Sequence, residues 1–130
     1  MIRKFKAYKR MHVTTASPGE LVVMLYDGMI RFTRTAKRAI GARMFADAGQ
    51  SIDRALAIVG YLQGTLDESA SPELIHSLDQ TYLLWMRGLV RANLDKDVEA
   101  LEEYAQQMEQ LRDGWREACR LAAPRFAEGA

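Results

Sequence analysis

The sequence predicts an all-α protein, an antiparallel up-down-up-down four-helix bundle with a short N-terminal arm. Three observations carry that prediction. No segment alternates apolar and polar residues with a period of two, so strands have no signature. Four stretches repeat apolar residues at spacings of three and four, each about 20 residues long. Two of the three prolines, Pro18 and Pro72, directly follow serines, the order in which a cap precedes the first helical residue.

Residues 1–16 form the predicted arm. Five of the first ten residues are basic, with Ile2, Phe5, Tyr8 and Met11 spaced by three. That is too short for a helix stable by itself. The first helix starts at Ser17-Pro18-Gly19-Glu20, where Ser17 and Glu20 make a capping box, and runs to about Ile40 before Gly41. The second spans about Asp47 to Leu66, with Ile52, Ala55, Leu56, Val59 and Leu62 as its apolar stripe. The third begins at Ser71-Pro72 and reaches about Asn93. Asp95 is the expected cap of the fourth, which carries Val98, Leu101, Ala105, Met108, Leu111, Trp115, Ala118 and Ala122. Pro124 marks the expected end, which divides the chain into an arm (1–16), a bundle (17–123) and a flexible tail (124–130). Short connections between helices of this length force neighbours antiparallel.

Composition excludes several functions. At 130 residues, 48% hydrophobic and 27% charged, the chain suits one globular domain. No apolar run reaches the ~18 residues of a membrane span, and no apolar signal core follows the basic start. The single cysteine, Cys119, cannot pair internally, which fits a reducing cytoplasm. The net charge of +1 conceals a division: residues 1–44 carry ten basic and two acidic residues, residues 45–130 eight basic and fifteen acidic. A nucleic-acid arm built on Phe5 and Tyr8 is one reading of the basic start. The acidic remainder would repel phosphate, and a solvated or self-docking arm suits it better.

Enzyme chemistry finds no constellation. Glu73-x-x-His76 has the spacing of half a di-iron carboxylate site, but the other histidine, His12, lies in the arm, and no second copy exists. Cys119 reads as a small core residue, and Glu102, Glu103, Glu109 and Glu117 read as a solvated helix face. No catalytic residue, metal or cofactor is expected.

Two helices carry more apolar surface than one core stripe requires. On helix 1, Leu21, Leu25, Gly28, Phe32, Ala36 and Ala39 make one stripe. Val22, Tyr26, Met29 and Thr33 make another, widened by Val23 and Ile30. Together they cover roughly 200° of arc at about 100° per residue. On helix 3, Leu74, Leu78, Thr81, Trp85, Leu89 and Ala92 form the core stripe, and Leu83, Met86, Val90 and Leu94 a second one. Contiguous surplus apolar surface points to a partner.

The run from Ala16 to Phe32 (ASPGELVVMLYDGMIRF) resembles the first-helix signature of the FliS family, bacterial export chaperones for flagellin. The resemblance extends to Arg87–Asn93 (RGLVRAN) and to Leu111–Ala118 (LRDGWREA), and spans about residues 7–120. It implies a cytoplasmic four-helix bundle that binds the disordered C-terminal segment of flagellin in apolar grooves, holds it unpolymerised and delivers it to the flagellar type III export apparatus. Tyr8 matches a tyrosine near the family's N-terminus. The expected partner-binding residues are Tyr8, Met11, Val22, Val23, Tyr26, Met29, Ile30, Leu83, Met86, Val90 and Leu94. Asp27 and Arg87 are expected to orient structure. A bundle-type adaptor for other flagellar or regulatory proteins is the alternative function.

Overall fold

The structure, a computed structural model, describes residues 18–67 and 71–129, with side chains described to Ala122. The arm, with Tyr8 and Met11, and the Ser17 cap lie outside the described residues. Four helices follow in order: α1 Pro18–Gly41, α2 Phe45–Gly64, α3 Pro72–Asp95 and α4 Val98–Gly129. Among the described residues there is no strand, and no helix is long and apolar enough to cross a membrane. The helices form the antiparallel bundle that their spacing predicts, each packed on its two neighbours around the ring. The α3–α4 contact is the sparsest of the four.

Local signals explain most ends. Ser71 Oγ accepts a bond from the Leu74 amide at 3.4 Å, with Pro72 in the first turn of α3. Three boundaries differ from expectation. Helix α1 does not close on a left-handed Gly41: Arg43 takes that conformation (φ 59°), so that Met44 N bonds Ala39 O at 2.8 Å and Arg43 N bonds Ile40 O at 3.0 Å. Lys96 (φ 57°) ends α3 in the same way, with Asp97 N on Ala92 O at 2.9 Å. That geometry displaces the next cap from Asp95 to Asp97, whose Oδ1 accepts from the Ala100 amide at 3.1 Å. Helix α4 continues to Gly129, past Pro124, because a proline removes one amide donor without forbidding helical dihedrals beyond it.

The core explains the wide apolar arc of α1. Trp85, Tyr26, Met29, Ile52, Leu89, Leu101, Met108 and Val59 are its largest fully buried apolar side chains. Each contributes about 1.5–3 kcal/mol by leaving water. Helix α1 packs against both α2 and α4, and reaches α3 across the bundle through Tyr26. One edge of its arc therefore meets Ile58 at Gly28, and the other meets Met108 at Thr33. Tyr26, Met29, Ile30 and Thr33 of the second stripe of α1 are thus interior, while Val22 and Val23 stay half buried. Tyr26 and Met29 are 0% exposed and Ile30 is buried, which corrects their expected place on an accessible face.

Three buried hydroxyls inside this core, those of Tyr26, Tyr82 and Thr33, are paired locally. The Tyr26 and Tyr82 hydroxyls share a hydrogen bond at 2.8 Å, and burial pushes both above the ordinary tyrosine range. Tyr26 meets Trp85 edge to face, with ring centres 6.1 Å apart. Thr33 Oγ1 donates to the Met29 carbonyl at 2.8 Å, so its hydroxyl is paired within its own helix.

Half of the acidic face of α4 is likewise a seam rather than a solvated surface. The Arg34 guanidinium donates to Glu102 at 2.9 Å and to Glu109 at 2.8 Å, and Lys37 reaches Glu102 at 3.3 Å. The bond from Arg34 holds Glu102 down to about 2 and Glu109 below the usual carboxylate range. Further along, Arg112 donates to Asp27 at 3.1 Å, and Arg116 lies 3.8 Å from it. Asp27 therefore orients α1 against α4, as expected, whereas Arg87 is exposed and holds no ion pair among the described residues.

Candidate functional site

Where α3 and α4 do meet, a glycine makes the contact possible. Gly88 on α3 lacks a side chain, and the Tyr104 ring of α4 lies where one would be. A Cβ at Gly88 would sit well inside van der Waals contact of the Tyr104 hydroxyl and ring carbons. The helices are pinned together there. Toward the N-terminal half of α3 and the later turns of α4, bulky side chains on both helices leave a furrow between them.

That furrow is the candidate site. Its volume is about 750 Å³, within the range of functional pockets. Helix α3 lines it with Leu74, Leu78, Thr81, Leu84 and Trp85, and α4 with Gln107, Gln110, Leu111, Gly114, Trp115 and Ala118. None of these residues is charged, in a chain that is 27% charged. Leu74 and Leu84 stand half exposed at the rim. Trp85 is fully buried beneath, and its indole NH donates to Gln107 Oε1 at 2.9 Å. The floor thus has no orphaned indole donor at Trp85. Over Gly114 there is open space: a Cβ there would meet nothing within 4 Å. Each wall covers eleven residues of rise, about 16 Å, the length of a three-turn helix.

The pin at Gly88 carries a testable consequence. Gly88→Val is expected to destabilise the bundle by about 2 kcal/mol, because the added carbons displace the Tyr104 ring. Adding Tyr104→Ala is expected to recover most of that loss, a coupling that a double-mutant cycle in urea measures directly. Additive losses would show that the two residues do not meet.

The expected site residues separate into three groups. Tyr26, Met29 and Ile30 are interior. Val22 and Val23 are half buried on α1. Leu83, Met86, Val90 and Leu94 lie away from the furrow, and Val90 and Leu94 are exposed. Leu83, Val90 and Leu94 sit roughly 140° around α3 from Leu78, Trp85 and Leu89. The furrow itself is lined by residues whose spacing places them in core stripes, together with Leu84, Gln107, Gln110 and Gly114, which no stripe includes. A signal was present: Gly88 and Gly114 interrupt helices, where glycine costs about 1 kcal/mol relative to alanine and needs a packing or functional reason.

Other chemistry has no comparable geometry. His76 is exposed, and among the described residues no three His, Cys, Asp or Glu side chains converge on a point. Cys119 is half buried, its Sγ against the Gly19 backbone.

Comparison with known proteins places the bundle. A family profile described as "Flagellar protein FliS" matches residues 1–122. The chain belongs to the FliS family. Among its FliS relatives, the Flagellar secretion chaperone FliS of Bacillus subtilis (strain 168) is 34% identical over 114 residues, covering 88% of this chain and 84% of the relative. The protein of the same name from Escherichia coli (strain K12) is 34% identical over 107 residues, covering 82% and 79%. That of Campylobacter jejuni (serotype O:6, strain 81116) is 31% identical over 113 residues, covering 87% and 88%. The chain is therefore a member of a family of flagellar secretion chaperones.

Proposed function

We propose that this chain binds the disordered C-terminal segment of flagellin in the α3–α4 furrow, keeps it from polymerising in the cytoplasm, and hands it to the flagellar type III export apparatus. The observation that carries the reading is the uncharged, open furrow in a member of a secretion-chaperone family. A segment that packs on other subunits once assembled has apolar faces with nowhere to go before assembly. The furrow lends those faces a core, and each leucine-sized side chain removed from water contributes about 1.5–3 kcal/mol. Ordering the segment opposes this, so the complex holds its client without becoming irreversible. Tyr8 and Met11 of the arm, outside the described residues, and Val22 and Val23 on α1 are proposed to contact the client next to the furrow or to occupy its place in the free state.

Calorimetric titration with the isolated C-terminal segment of flagellin tests this. Saturable binding with a negative heat-capacity change is expected. Because no charge lines the furrow, the dissociation constant should change less than about threefold between low and high salt, since screening acts on charges. An affinity that collapses in salt would assign binding to a charged surface instead.

A further inference from the structure

The second apolar stripe of α3 has no role in the furrow, yet its later half is exposed: Val90 is 45% and Leu94 69% accessible, while Leu83 and Met86 are half buried. It continues around the end of the bundle. Lys96 Nζ lies 4.9 Å from the centre of the Phe45 ring, which joins the last turn of α3 to the first residue of α2. Met44 and Phe45 are exposed there, and α2 begins with no capping side chain.

The charge on this face is net basic, with Asp95 and the first-turn Asp47 of α2 as its acidic residues. Residues 83–96 carry Arg87, Arg91 and Lys96 against Asp95, within a stretch (45–130) that has eight basic and fifteen acidic residues. Asp95 is engaged with Arg91 at 2.9 Å, which leaves Arg87 without an ion pair among the described residues and Lys96 over an aromatic ring. The start of α2 has no side-chain cap, and Asp47 in its first turn offsets the positive end of the helix.

We propose that the outer face of α3, with Val90 and Leu94 as apolar anchors and Arg87, Lys96 and the Met44–Phe45 corner around them, docks an acidic amphipathic helix of a second protein. Such a helix lays apolar residues at spacings of three and four on Leu83, Val90 and Leu94 and sets its carboxylates against Arg87 and Lys96. Charge disfavours the other occupants. The chain's own residues 1–16 hold five basic residues and no acidic one. A second copy would bring the same basic face against itself across a two-fold axis. The furrow and this face lie on different sides of α3, so both partners bind at once.

Two synthetic helical peptides of about 18 residues test this, both with leucine at every third or fourth position, one with glutamate and the other with lysine between. The glutamate peptide should bind with a dissociation constant of about 10–100 µM and perturb the NMR signals of Phe45, Val90 and Leu94. The lysine peptide should bind at least about tenfold more weakly, and R87E with K96E should weaken the glutamate peptide about tenfold. Saturation with the flagellin C-terminal segment should leave the glutamate peptide's affinity unchanged. Equal affinity for both peptides, perturbations centred on Leu111 and Trp115, displacement by the flagellin segment, or no perturbation at all would each overturn the proposal. If the flagellin segment does not bind, the function proposed for the furrow fails, while the peptide and charge-reversal measurements still decide this one.

Discussion

Replacing Met29 with glutamate is expected to abolish the cooperative thermal transition, while replacing Val90 with glutamate leaves it in place. Both residues belong to apolar stripes that look alike in sequence. Met29 is 0% exposed, and its carbonyl is held by the Thr33 hydroxyl at 2.8 Å. A carboxylate there loses its water with no basic partner beside it, a cost of several kcal/mol. Loss of the methionine side chain adds about 2–5 kcal/mol. Together these consume most of the ~5–15 kcal/mol that holds a domain folded. Val90 is 45% exposed. A glutamate there stays hydrated, and the melting temperature should move by no more than about 4 °C. Circular dichroism at 222 nm during heating reads both. If both variants melt normally, α1 does not bury its second stripe. If both unfold, the outer face of α3 is core.

The second large effect is on client binding. Leu74→Glu together with Leu84→Glu is expected to weaken binding of the flagellin C-terminal segment at least about 100-fold, a loss of about 2.8 kcal/mol or more. Both leucines stand half exposed at the rim of the furrow, so the free protein can hydrate the new carboxylates and keep its fold. The bound client would have to strip that water from two charges over an uncharged floor, with nothing there to pair them. Calorimetry measures the loss, and an unchanged melting curve separates it from unfolding. A client affinity within threefold of the original would remove the furrow from the binding site.

The architecture was open to sequence reasoning because its signals are local. Ser71-Pro72 sets the start of a helix through a cap and a fixed dihedral, and the apolar spacing gives the bundle face. The ends that moved depend on the backbone of the following turn. Arg43 and Lys96, not the glycine, take the left-handed conformation, and no residue preference announces that. The site was less legible for a related reason. An apolar arc of about 200° on one helix does not say how many neighbours share it. On α1 the neighbours α2 and α4 cover most of it, leaving Val22 and Val23 half buried, whereas on α3 the sparse contact with α4 leaves Leu74 and Leu84 half exposed. Whether Trp85 and Leu78 floor a furrow or fill a core depends on the distance between two helices. One contact between them, Tyr104 on Gly88, joins residues sixteen apart in sequence with no periodicity to reveal it. The pairing of Glu102 and Glu109 with Arg34 was hidden in the same way, since an acidic helix face reads as solvated until its neighbour is placed.

The two tryptophans of the chain, Trp85 and Trp115, both line the furrow, which allows the central claim to be read without a label. Titrating a tryptophan-free C-terminal segment of flagellin into the protein should shift the tryptophan emission to shorter wavelength, as the half-buried Trp115 loses its remaining water. The shift should saturate with the calorimetric dissociation constant and disappear in the Trp115→Phe variant. Binding by calorimetry with an unchanged emission spectrum would place the client elsewhere and contradict the account.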